Sequence, residues 1–145
     1  NTMHKCAPAI ETATDLPFPH IGDATAEALL TDNRQRPLLL GTSFTMEEAF
    51  YTDRLKARRL EPVIPNAKQR ADINRIIFEE LVHGIICPES QRQYIDIVRS
   101  YSVQTDSVIL GCTEIGMLLN ADNAPLPPYD TAHLHCDTLI DKAVP

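Results

Sequence analysis

Ser107–Gly111 (SVILG) constrains this chain more than any other stretch. The run is short, uncharged, partly β-branched, and stops at a glycine. Apolar residues at consecutive positions, without the alternation of a half-exposed strand, describe a strand covered on both faces. Pro37–Gly41 (PLLLG) has the same form. Such runs alternate with helical patterns along the chain, which predicts the α/β class with a parallel sheet.

The helical patterns fill the intervals. Thr42–Leu60 reads as one helix, opened by a Thr45/Glu48 capping box, with Met46, Ala49, Phe50 and Leu55 on its apolar side. Glu61–Ile64 reads as a short second strand ending at Pro65. Asn66 is placed to cap a helix over Ala67–His83, with Ile73, Ile76, Ile77 and Glu80 or Leu81 inward and Gly84 at the stop. Pro88–Gln104 reads as a helix with Tyr94, Ile95, Val98 and Tyr101 inward. Ile115–Leu119 begins a helix directly after the SVILG strand. Pro125–Tyr129 is a last short strand, and Ala132–Ala143 a closing helix. Towards the N-terminus the pattern loosens: Lys5–Thr14 reads as helical, Pro17–Ile21 as a strand, Asp23–Leu30 as a helix and Asp32–Arg36 as a polar connection.

Composition narrows the function. The 145 residues suit one domain by length alone. Twenty acidic against thirteen basic residues give a net charge of −7, a poor basis for binding a phosphate backbone, so nucleic acid is not expected as a partner. No apolar run approaches the roughly 20 residues of a membrane helix, and no secretory signal opens the chain. Cys6, Cys87, Cys112 and Cys136 are dispersed and lack CxxC pairs, which argues against zinc and against a disulfide framework. Free thiols and a cytoplasmic location are the expectation. His133 and His135 alternate without a third ligand at suitable spacing, so no metal is expected.

Three polar clusters carry candidate chemistry. Cys112 follows a buried strand at the edge where open α/β sheets bind ligands, and precedes a helix whose positive end lowers a thiol pKa. Thr113 and Glu114 add a hydroxyl and a carboxylate. The competing reading of Cys112 is an inert, buried small side chain. Gly41–Thr45 (GTSFT) is a second strand-to-helix turn, rich in hydroxyls and suited to an anion; it lacks the lysine of a P-loop, and plain helix capping explains it equally well. Asn1, Thr2 and His4 form the third cluster, for which a frayed terminus is the simpler account.

Together these strings resemble the aspartate/glutamate racemase family, on the branch of aspartate and broader-specificity amino-acid racemases. The matching segments are Asn1–Lys5 (NTMHK), Pro19–Thr25 (PHIGDAT), Leu40–Phe50 (LGTSFTMEEAF), Ile73–Gly84 (INRIIFEELVHG), Leu110–Leu119 (LGCTEIGMLL) and Tyr129–His135 (YDTAHLH). Glu114 after Cys-Thr resembles the aspartate branch; glutamate racemases usually carry His there. The resemblance implies two similar parallel-sheet α/β domains, of which this chain holds one complete and one partial. Residues 1–31 would be a remnant of the first domain, 32–125 the second, and 126–145 the return to the first.

The resemblance further implies racemisation without cofactor, by two facing acid/base residues. Cys112 matches one. The other would lie immediately before Asn1, as Cys or Thr, in an N-terminally truncated chain that is inactive alone. Asn1, Thr2, Thr42, Thr45 and Thr113 would hold the substrate's α-carboxylate and amino group, with Glu114 beside them. The implied partners are a small amino-acid substrate and, in the complete protein, a second copy in a homodimer. Maleate isomerases, hydantoin racemases and malonate decarboxylases share the scaffold and form the alternative. Asp72 stands where members acting on acidic substrates often carry a basic residue, with Lys68 and Arg70 displaced by a few positions. A neutral or polar amino acid is the resulting expectation.

Overall fold

The computed structural model describes residues 1–144. Its sheet is formed by β1 (Pro37–Gly41), β2 (Ser107–Gly111) and β3 (Pro128–Asp130), in that order and all parallel. In register, Leu38 pairs with Val108, Leu39 with Ile109, Leu40 with Leu110 and Gly41 with Gly111. β1 and β2 are buried throughout, as their unbroken apolar runs predict.

The pleat sends alternate residues to opposite faces. Leu38, Leu40, Val108 and Leu110 pack beneath α5 (Ala67–Glu79) and α6 (Pro88–Tyr101), against Ile73, Ile76, Ile77, Tyr94, Ile97 and Val98. Leu39, Ile109 and Tyr129 face the other way, onto Ile21, Ala26 and Leu29 of α2 (Ile21–Thr31) and Tyr51 and Leu55 of α4 (Ala49–Ala57). Leu134 of α7 (Thr131–Ala143) joins that second layer, and α7 lies along α2. Residues 21–31 and 131–143 therefore share a core with the strands between them.

Several expected elements differ. Thr42–Leu60 is two helices, α3 (Ser43–Glu47) and α4, separated at Glu48, whose backbone is extended (φ −83°, ψ 149°). No Thr45/Glu48 capping box forms, because Thr42 is the cap, accepting from the Thr45 N–H at 3.4 Å. A capping box does form one helix later, between Asn66 and Gln69. Glu61–Ile64 contributes only one bridge, Val63 beside Leu38, since Pro62 and Pro65 have no N–H with which to extend a ladder.

Pro17–Ile21 is not a strand. His20 instead caps α2, its Nδ1 accepting the Gly22 N–H at 3.0 Å. A 3-10 turn, Thr2–Cys6, precedes α1 (Ala7–Ala13). α5 ends at Glu79, before a 3-10 turn at Leu81–His83 and left-handed Gly84 (φ 73°). The helix expected at Ile115–Leu119 is a five-residue 3-10 turn, Thr113–Met117. The last strand sits slightly later than Pro125–Tyr129, because Asp130 both ends β3 and caps α7, accepting from the Ala132 and His133 N–H groups.

Candidate active site

The paired glycines bring two distant segments together. Thr42 and Cys112 each stand one residue beyond the Gly41–Gly111 pair, side by side at the C-terminal edge of the sheet. Close approach requires glycine here. A Cβ on Gly111 would lie 2.6 Å from the Leu40 carbonyl oxygen, and one on Gly41 would lie 3.0 Å from Thr45 Cβ. The next strand adds Thr131, one residue past Asp130.

Hydroxyls and amides connect these strand ends. Thr2 Oγ1 is 3.3 Å from Thr42 Oγ1, which is 3.3 Å from Thr45 Oγ1. Asn1 Nδ2 donates to Thr131 Oγ1 at 3.0 Å, and Thr131 in turn donates to the Leu110 carbonyl at 2.9 Å. Asn1 Oδ1 is buried without a partner. The structure thus brings Asn1 and Thr2 onto the sheet edge rather than leaving them as a frayed end. Thr45 is wholly buried beneath Thr42, so it supports the turn and presents no surface to a ligand. Thr113 is exposed at the rim.

Cys112 is half-buried, and its thiol donates to Glu114 Oε2 at 2.9 Å. The expected lowering of its pKa is reversed. Burial, followed by the Glu114 carboxylate, pushes it up to about 12. A five-residue 3-10 turn supplies little dipole, and the nearest charge is negative. Glu114 itself is held below the ordinary carboxylate range by the Cys112 thiol and then the Thr113 hydroxyl.

Two contributors were not singled out by sequence reasoning. Thr131 obeys the same rule as Thr42, a hydroxyl just past a strand end, so that signal was available. Asn74 of α5 accepts the Ser43 N–H at 2.9 Å and fixes the start of α3; an internal helical asparagine gave no such signal.

Asp72 is not at this site. It pairs with Lys68 at 3.1 Å and lines an open, charged groove of about 560 Å³ between α5 and α6, with Glu89, Arg92 and Asp96. Arg70 is occupied by Glu47 and the Pro65 carbonyl, both at 2.8 Å. A smaller hollow of about 230 Å³, lined by Leu110, Gly116, Asp130 and His133 among others, adjoins the Cys112 turn.

A family profile described as Asp/Glu/Hydantoin racemase matches residues 1–139, and the chain belongs to that family. It is similar to the crystal structure of a candidate Asp/Glu racemase from Yersinia pestis, with 41% identity and a TM-score of 0.95. It is similar also to an aspartate racemase homologue from Pyrococcus horikoshii OT3, with 33% identity and a TM-score of 0.91. Both matches cover 100% of this chain and 64% of the other, so the chain spans just under two thirds of these relatives' length. Picrophilus torridus aspartate racemase shares the fold at 22% identity and a TM-score of 0.73, over 87% of this chain and 52% of its own. Among the described residues, no helix is long and apolar enough to cross a membrane.

Proposed function

We propose that this chain carries one half of the site of a cofactor-independent amino-acid racemase, acting on aspartate or a related small amino acid by a two-base thiol mechanism. The observation that carries the reading is the Gly41–Gly111 pairing, which sets a hydroxyl-lined turn beside a thiol at one sheet edge. An amino acid's α-proton is weakly acidic, so its removal requires a positioned base and stabilisation of the developing charge. Inverting the centre requires proton removal on one face and delivery on the other.

In this reading Thr2 and Thr42 hold the α-carboxylate, supported from below by Thr45, with Thr113 at the rim. The unpartnered Asn1 Oδ1 is an acceptor suited to the ammonium group. Cys112 rests as a protonated thiol, since burial and Glu114 raise its pKa, and it acts first as donor to one face. When it works as the base, Glu114 Oε2 is the acceptor already hydrogen-bonded to its proton. In this reading the facing base lies outside the present stretch, before Asn1, which accords with the chain's spanning 64% of its relatives' length. Residues 1–31 and 126–145 would belong to the neighbouring first domain. A cytoplasmic homodimer is part of the same proposal.

The test is Cys112→Ala in the full-length protein, with α-proton exchange from deuterated water followed for both enantiomers. At least a tenfold loss is expected in both directions; a smaller loss refutes the assignment. Cys112→Ser is expected to impair one direction more than the other. A panel of amino acids, hydantoins and dicarboxylates, read by polarimetry, separates amino-acid racemisation from the other reactions of the scaffold.

A further inference from the structure

Outside the site, three imidazoles converge at the foot of the N-terminal turn. The His4 ring lies 4.9 Å from that of His20 and 5.1 Å from that of His135, both edge-on, and 5.7 Å from Phe18. Backbone groups fix the two neighbours: His20 Nδ1 accepts from Gly22, and His135 Nε2 donates to the Pro19 carbonyl at 2.9 Å. His4 belongs to the same tight turn as Asn1, donating its N–H to the Asn1 carbonyl at 3.0 Å. The turn therefore joins the imidazole cluster at one end to Thr131 and Thr42 at the other.

We propose that His4 is a positioning residue: its neutral ring, packed among His20, His135 and Phe18, docks the Asn1–Cys6 turn so that Asn1 and Thr2 reach the site, and protonation of that ring releases the turn. The proposal rests on the racemase reading for its consequence on turnover, but not for the docking itself.

The surroundings decide the sign. Facing His4 are His20 at the start of α2, His135 on α7, and Lys5, Asp53 and Arg54 around a shared pocket of about 280 Å³. Arg54 is engaged by Asp23 at 2.8 Å and Glu11 at 3.6 Å, and Lys5 by Glu48 at 3.9 Å. Of these acids, only exposed Asp53 lines the pocket itself, so a charged His4 gains little compensation. Burial, then His20, then His135 hold its pKa down at about 4, against an upward pull from the Asn1 backbone hydrogen bond. A pKa below the undocked value of 6.5 means that docking is complete above pH 6.5 and weakens as the pH falls towards 4. Within that window each pH unit changes the docking equilibrium by up to about tenfold.

The experiment measures amide hydrogen exchange of Thr2–Cys6 in the full-length protein between pH 7.5 and 5, corrected for intrinsic rates, alongside racemisation. Protection of this turn is expected to fall by up to about tenfold per pH unit below 6.5, while β1 and β2 remain protected, and KM rises in parallel. His4→Phe keeps a ring and removes the titration; it is expected to hold both protection and KM constant. The same acid loss in His4→Phe overturns the proposal. So does a wild-type His4 titrating near 6.5 by NMR, a measurement that decides the matter even where His4→Phe does not fold. His20→Asn retains a cap acceptor while deleting the facing imidazole, and is expected to raise the His4 pKa; no rise overturns the coupling. Exchange behaving as described without any racemisation refutes the racemase reading and leaves the docking role standing.

Discussion

Gly111→Ala is the most direct test of how the sheet edge is built. The added Cβ would sit 2.6 Å from the Leu40 carbonyl oxygen, against an ordinary contact of 3.4 Å or more, with Leu39 Cδ1 at 3.2 Å and Thr45 Cγ2 at 3.3 Å. The closest of these is backbone of the adjacent strand, which has no rotamer in which to withdraw. β1 and β2 must part by several tenths of an ångström at the pair that sets Thr42 beside Cys112. Overpacking of this kind costs about 1–3 kcal/mol, and the upper half of that range is expected. A displacement of that size at a reacting centre is expected to lower kcat by about tenfold or more. Gly84→Ala is the matched control. Its φ of 73° penalises a side chain by about 1–2 kcal/mol, yet nothing lies within 4 Å of the new Cβ. Both variants are measured in the full-length protein by urea unfolding and by α-proton exchange. Gly111→Ala should lose stability and turnover together, and Gly84→Ala stability alone. A loss below about 0.5 kcal/mol for Gly111→Ala, with unchanged turnover, refutes the close approach of the two strands.

Two further outcomes are expected. Asp106 Oδ2 accepts from the Gln35 and Arg36 N–H groups at 2.6 and 2.9 Å; Asp106→Ala should cost about 1 kcal/mol at pH 7 by thermal unfolding. Burial raises that carboxyl's pKa, but these donors and Ser107 more than offset it, leaving the pKa lowered. Its contribution is therefore full above pH 3.8 and lost as the pH falls further, and the wild-type/variant difference should shrink in acid. Asp72→Lys should leave the ratio of kcat/KM between aspartate and a neutral amino acid within about twofold, because Asp72 faces the α5–α6 groove; a tenfold change would refute that orientation.

The strands and the main helices were legible because burial on both faces leaves an unmistakable pattern. Leu38–Leu40 and Val108–Leu110 have no polar residue to hide, and Ile73, Ile76 and Ile77 repeat at helical spacing. The break at Glu48 was not legible, since Thr45, which local sequence marks as a cap, turns inward to Thr42 across the buried turn. Val63 misled in the opposite sense: its residue type suits a strand, but its proline neighbours forbid one. Strand ends and the family resemblance placed Cys112, Thr42 and Thr2 at one sheet edge, where the structure has them as neighbours. The thiol's ionisation was not legible, because it depends on a carboxylate two residues away and on a turn too short to act as a dipole. Asp72 was brought towards the site by the family resemblance alone, and the tertiary contact of Asn74 with Ser43 shows which side of α5 meets the hydroxyl turn.

The pairing of Gly41 with Gly111 also fixes when the chemistry can appear during folding. Closing a loop of about seventy residues costs roughly 4 kcal/mol in chain entropy, and parallel strands pay it before any ladder bond compensates. Local units, such as α5 against α6, can form earlier because their contacts span short separations. A nascent chain halted before β2 would hold the hydroxyl turn on an unpaired β1, with Leu38–Leu40 open to any passing strand. During synthesis such a chain is a substrate for chaperones rather than a catalyst, and the thiol and the threonines become neighbours only when the central strand docks.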